Sequence, residues 1–142
     1  MTAVLFDTNI VIDYLAGRVE ALLELEYFGD SAISLVSWIE VMTGVPPDLR
    51  PVVKEAISEA GLVILPVSDA IATETVSIRY QTINQRPKRR LKLPDAIIRA
   101  TANVHARLLI TRNTTDFFGA DIRVPYQIDA AGNVFNALPQ ST

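Results

Sequence analysis

Four acidic side chains fall where the chain's own punctuation places ligand sites. Asp7 closes the first apolar run, Glu40 follows Ser37 by three positions, and Asp95 follows Pro94. Asp116 lies in the polar stretch after the apolar run Arg107–Thr111. Carboxylates brought into one pocket repel one another and raise each other's pKa unless positive charge sits between them. The chain has no cysteine and one histidine, His105, so the cation that answers such a cluster is a hard, oxygen-seeking one, Mg²⁺ or Mn²⁺. An ion of this kind activates a water and neutralises charge developing on a phosphate. Those are the two tasks of phosphodiester hydrolysis, which needs no covalent nucleophile from the protein.

The elements that must position these acids alternate between strands and helices. Val4-Leu5-Phe6 is an apolar run suited to a strand buried on both faces. Helices are expected over Asn9–Ala16 and Arg18–Phe28, and a strand over Ala32–Val36. Ser37-Trp38-Ile39-Glu40 fits the capping-box pattern, which puts Glu40 in the first turn of the next helix, ending near Gly44. An amphipathic helix over Asp48–Ala60 and a strand over Leu62–Val67 follow. Ser68 caps a long helix from Asp69 to about Ile83, the polar segment Asn84–Lys92 reads as a loop, and a helix runs from Leu93 to His105 with Pro94 in its first turn. Arg107–Thr111 is a strand, Arg112–Gly119 a loop, and Ile122–Tyr126 a final strand. Strand–helix alternation implies right-handed crossovers and a single-domain, three-layer α/β/α fold with a mainly parallel central sheet. In such a sheet the carboxyl ends of strands and the starts of helices share one edge, where ligands bind. All four acids map to it.

Each acid has a plainer reading. Asp7 could end a strand and cap a helix, Glu40 could serve only Ser37, Asp95 could complement a helix dipole, and Asp116 could be a surface loop acid. The coincidence of four on one edge favours the site. The remaining acids, Asp30, Asp48, Asp69, Asp121, Asp129 and the helical glutamates among them, read as solvated faces or turns, with Asp13 held open as a supporting group. Thr8, Asn9, Thr111 and Asn113 are neutral hydrogen-bonding residues placed to orient carboxylates, or to serve turns and caps.

The 142 residues suit one domain, and 49% hydrophobic against 20% charged residues allows a proper core. The absence of cysteine suits a reducing cytoplasm. The N-terminal run has no basic lead and reads as a strand rather than a signal peptide, and no stretch is long enough to span a bilayer. The net charge of −3 confines any polyanion contact to a local patch. Arg86, Lys88, Arg89, Arg90 and Lys92 supply one: five positive charges in seven residues, leading into Asp95. They are assigned to an RNA backbone, the plainer reading being a solvated loop. Trp38 and Phe117 are assigned to the core rather than to base stacking.

Phe6-Asp7-Thr8-Asn9-Ile10, Ser37–Glu40, Leu93–Ala102 and Leu109–Phe117 together resemble the four signature segments of PIN domains, with a likeness to the VapC toxins of prokaryotic toxin–antitoxin pairs. The resemblance runs from about Leu5 to Tyr126. It implies that Asp7 and Asp95 are the principal metal ligands and that Glu40 and Asp116 complete the acidic cluster, Asp116 also at the metal. Thr8, Asn9, Thr111 and Asn113 match its polar supporting positions. It further implies a Mg²⁺- or Mn²⁺-dependent endoribonuclease, homodimeric, neutralised by a cognate antitoxin protein. Residues 1–126 are read as the nuclease domain and 127–142 as a tail without assigned structure or role. Leu15, Leu22, Leu25 and Tyr27 could offer a dimer surface or fill the core.

Rival enzymes fit poorly. A receiver domain needs an acidic pair at the first strand and a late lysine, a dehalogenase-type phosphatase needs Asp-x-Asp, and a dinucleotide-binding domain needs G-x-G-x-x-G. The rival from another class is a module that binds RNA or a protein through the same groove with little or no turnover.

Overall fold

The computed structural model describes residues 2–87, 89 and 91–140. Five strands form one parallel sheet: β1 (Ala3–Phe6), β2 (Asp30–Ser34), β3 (Val63–Leu65), β4 (Leu108–Ile110) and β5 (Ile122–Arg123), in the order β3-β2-β1-β4-β5. The chain therefore starts at the centre, builds outward to β3, then returns to build the other half. Side chains on a strand alternate between faces, and β1 shows the result. Val4 and Phe6 enter one core cluster with Ile10, Leu25, Phe28, Ile33, Ile57 and Ile110, while Leu5 enters a second with Ala32, Ile98, Ala102, Leu109 and Phe117. Both faces are covered, so these strands read as continuous apolar runs.

Among the described residues six α-helices flank the sheet: α1 (Thr8–Leu15), α2 (Val19–Tyr27), α3 (Leu35–Thr43), α4 (Arg50–Glu59), α5 (Asp69–Asn84) and α6 (Leu93–Val104). The first cluster takes residues from α1, α2, α3 and α4, the second from α6. Ser68 caps α5 by accepting from the Ile71 N–H at 3.2 Å. Among the described residues no helix is long and apolar enough to cross a membrane.

Three local expectations are corrected. The strand β2 ends at Ser34, not Val36, and α3 starts at Leu35, so Ser34 rather than Ser37 is the cap, its hydroxyl accepting from the Val36 N–H at 3.1 Å. An apolar run before a serine reads equally as strand end or helix start; the pairing of Ser34 with Leu65 fixes the strand end. Glu40 consequently sits in the second turn of α3. The segment 48–60 is divided into a 3-10 turn (Pro47–Leu49) and α4. The last sheet strand is only two residues long, Ile122–Arg123, rather than running to Tyr126. Gln127–Ile128 (β6) and Val134–Phe135 (β7) form an antiparallel hairpin whose Ile128 and Val134 pack on the first core cluster.

Two buried ion pairs tie this frame together. Glu24, read from sequence as a solvated helical acid, is fully buried and accepts from Arg123 Nε at 2.7 Å and Nη2 at 3.1 Å. The same guanidinium donates to the Pro139 carbonyl at 2.9 Å, and Gln140 donates to Glu24 at 3.3 Å, fastening the tail to α2. Asp13 accepts from Arg112 Nε and Nη2 and from the Tyr126 hydroxyl at 2.7 Å. Burial and this bond to Asp13 raise the Tyr126 pKa, keeping its proton in place.

Candidate active site

The switch in chain direction across the sheet lies between β1 and β4, and in such sheets ligands bind there, at the strands' carboxyl ends. Asp7 leaves β1 at that edge as the N-cap of α1. Its backbone N–H donates to the Ile110 carbonyl at 2.9 Å, which anchors it to β4. Only 4% of the residue is exposed. Its Oδ1 accepts from the Thr8 N–H at 2.7 Å; its Oδ2 accepts from the Thr111 hydroxyl at 2.7 Å and the Asn9 amide at 3.2 Å. Burial pushes the Asp7 carboxyl up. The bonds from Thr111 and Thr8 oppose that rise, Glu40 adds to it, and Arg112 lowers it.

The Thr8 hydroxyl lies 2.7 Å from Glu40 Oε1 and 2.9 Å from Ser37 Oγ. With one proton to give, it donates to the carboxylate and takes the Ser37 proton in return. Ser37 thus faces the site rather than capping a helix. Asn113 holds Asp116 on two sides, its amide donating to Oδ2 at 2.9 Å and its carbonyl accepting the Asp116 N–H at 3.0 Å. Thr111 accepts the Asn113 N–H at 2.9 Å, so one hydroxyl links the supports of Asp7 and Asp116.

Asp95 is the third residue of α6, behind Pro94, in the favourable field of the helix start. It has no hydrogen-bond partner among the described residues. Burial pushes its carboxyl up to about 6, and the charges of Asp7, Asp116 and Glu40 push in the same direction, against a lowering by Lys92. The other three sequence-derived acids therefore act on Asp95, and Glu40 acts on Asp7; each of Thr8, Asn9, Thr111 and Asn113 bonds to at least one of Asp7, Glu40 and Asp116. Among the described residues, no three acidic or histidine side chains converge tightly enough to grip an ion as they stand. The donor set is all oxygen and carries excess negative charge, which fits a small divalent cation that keeps several waters and takes one or two carboxylates.

Of the basic loop, Arg86 and Lys92 are exposed, and Lys88 and Arg90 lie outside the described residues. Arg89 does not face solvent with them. Its Nη2 meets Asp116 Oδ1 at 3.2 Å and its guanidinium lies over the Phe118 ring at 5.2 Å. Phe117 is buried and Trp38 packs partly buried against the core, as expected. Phe118, passed over in sequence beside Phe117, is 67% exposed. Alternation between neighbours at a chain turn is the signal that could have singled it out. Of the suggested dimer residues, Leu22 and Tyr27 are exposed, Leu25 is buried and Leu15 packs on the core.

Residues 4–120 match the PIN domain family, and the chain belongs to it. More particularly, it is similar to a chain of a toxin–antitoxin complex from Klebsiella pneumoniae, 41% identical, with a TM-score of 0.75 over 89% of this chain and 100% of that one. It is similar also to FitAcB from Neisseria gonorrhoeae (26% identity, TM-score 0.65, 84% and 94% covered). DNA-bound VapBC from Salmonella typhimurium shares the fold at 20% identity (TM-score 0.72, 87% and 96% covered). Comparison with curated proteins gives no match.

Proposed function

We propose that this chain is a divalent-metal-dependent endoribonuclease, the toxin of a toxin–antitoxin pair acting in the cytoplasm. The observation that carries the reading is the gathering of Asp7, Glu40 and Asp116 around Asp95, whose carboxyl is pushed up to about 6 first by burial and then by those three charges. Asp7, Asp95 and Asp116 would hold Mg²⁺ or Mn²⁺, with Glu40 completing the cluster. When bound, the cation supplies water activation and neutralises charge on the phosphate in the transition state. The chain's own residues do the rest. Thr111, Thr8 and Asn9 fix the Asp7 carboxylate, Asn113 fixes Asp116, and the Thr8 hydroxyl donates to Glu40. Arg86 and Lys92, both exposed, would meet the RNA backbone, and Lys88 and Arg90 are proposed for it on the sequence alone. Hydrolysis forms one water-oxygen-to-phosphorus bond and breaks one phosphorus-to-ribose-oxygen bond, and the water's protons leave with solvent and the freed hydroxyl.

The choice of RNA rests on the resemblance to VapC toxins. The antitoxin partner rests on the similarity to the Klebsiella complex, and the homodimer is proposed on the resemblance with the exposed Leu22 and Tyr27. A second reading, a binding module with little turnover, is favoured by the Arg89–Asp116 ion pair, which occupies one of the four acids. An endonuclease assay on mixed RNA with Mg²⁺, Mn²⁺ or EDTA separates the two. Cleavage that needs metal and disappears in Asp7→Asn and Asp95→Asn, with unchanged far-UV circular dichroism, is expected. Equal RNA degradation by both variants would remove the site assignment.

A further inference from the structure

Beside Asp116, and outside the acid cluster, the fold holds a second recess. It is a cavity of about 250 Å³ between α5, α6 and the loop after β4. Gln81 lines it from α5, Gln85 from the extended residue that ends α5, and Arg99 and Asn103 from α6, with Asp116 and Phe118 in the remaining wall. Residues four apart on a helix share a face, so α6 presents Arg99 and Asn103 together to the cavity. The amides of Gln81 and Gln85 bond to no described residue. Arg99 spends one terminal nitrogen on Asp121 at 2.7 Å, while its Nη1 is buried with no hydrogen-bond partner among the described residues. A buried donor left without an acceptor is costly and asks for one. Phe118, 67% exposed with the Arg89 guanidinium over its ring, stands at the lip as a flat stacking surface.

Building on the nuclease reading, we propose that this cavity is a nucleobase subsite that reads the nucleotide next to the cleaved phosphodiester. Three observations select a base over other ligands. Asp116 is paired with Arg89 and Arg99 with Asp121, so the charges of the wall are already met and the occupant is neutral. The volume lies below that of sites for drug-sized ligands and suits one flat ring system. Amide pairs and a guanidinium beside an exposed aromatic are the groups by which unstacked RNA bases are stacked and hydrogen-bonded at their edges. The orphan Arg99 donor specifies the edge further. It calls for a carbonyl oxygen, which guanine, cytosine and uracil offer and adenine lacks. The wall shared with Asp116 makes the base read here the neighbour of the phosphate being cut.

Binding can be measured apart from cleavage. Full-length Asp7→Asn protein in EDTA would be titrated with labelled pentaribonucleotides that differ only in the central base, read by fluorescence anisotropy. Adenine at the centre is expected to bind about tenfold more weakly than the best other base, the scale of one stacked and bonded base. Phe118→Ala and Gln81→Ala in that background should each bring the four bases to within about twofold, with unchanged melting temperature. Equal affinity for all four bases, or a preference that survives both variants, would overturn the subsite. Wild-type cleavage with Mg²⁺ is scored separately. Cleavage without a Phe118-dependent preference leaves the nuclease reading standing and removes the subsite. A preference without cleavage does the reverse.

Discussion

The molecule keeps two sets of buried acids, and it treats them in opposite ways. Glu24 and Asp13 are each met by both ends of an arginine fork, from Arg123 and Arg112. Asp7 is as deeply buried, yet receives only a hydroxyl, an amide and a backbone N–H, and half-buried Asp95 receives none of these. Buried charge is costly unless paired, so the first set is finished and the second is left wanting a cation. Sequence position does not separate the sets: Asp7 and Asp13 lie six residues apart, and α1 carries Asp13 inward toward Arg112 and Tyr126. Arg112 joins the two regions, because its guanidinium holds Asp13 while its backbone N–H donates to Asn9 at 3.2 Å.

The comparison breaks most sharply if charge is removed from each set in turn. Glu24→Gln removes the buried carboxylate that the Arg123 fork meets and should cost about 3–5 kcal/mol, lowering the melting temperature by roughly 10 °C or more. Asp7→Asn should leave the melt at pH 7 unchanged or higher, because Asn caps a helix as well as Asp and the buried charge is gone. A large fall for Asp7→Asn in differential scanning calorimetry would erase the distinction between the sets.

Thr111→Val tests the support of the unfinished set. It leaves the Asp7 Oδ2 without its shortest bond and should lower metal affinity or cleavage by roughly 10- to 100-fold, measured by calorimetric Mn²⁺ titration and initial rates. Asp95 then gives a pH signature. Its folded pKa, about 6, stands above the ordinary 3.8, so between those values the folded chain binds more protons than the unfolded one. Stability without metal should therefore rise as pH falls from about 6 toward 4. Melts of wild-type and Asp95→Asn protein in EDTA check this, and the variant should lose that part of the rise. Identical profiles would show that Asp95 does not carry it.

How much of this the sequence disclosed follows from whether a signal is local. The alternating elements were legible because apolar runs bounded by Gly, Pro and Ser mark strands and helices wherever they fall. The four acids and their polar supports were legible from the ends of those runs. The start of α3 was not, because Ser34 and Ser37 both precede plausible first turns and only the pairing of β2 with β3 decides between them. Ser34→Ala should cost about 1 kcal/mol by chemical denaturation, the smallest of these effects. The interior place of Glu24 was hidden for the same reason: its partner Arg123 lies 99 residues away. The hairpin of β6 and β7 was equally silent, since each strand is two residues long and Ile128 and Val134 pack on the core.

The bond between Thr111 and Asp7 spans 104 residues of chain. A polypeptide made from its N-terminus carries Asp7 for most of its synthesis without the strand that orients it, and without Asp95 and Asp116. At ~5–20 residues per second that interval is roughly 5–20 s. The acid cluster thus comes into being late, all at once, when β4 slots beside β1. On the proposed reading as a toxin, the chain would be silent while it is being made, and a neutralising partner would have those seconds in which to be ready.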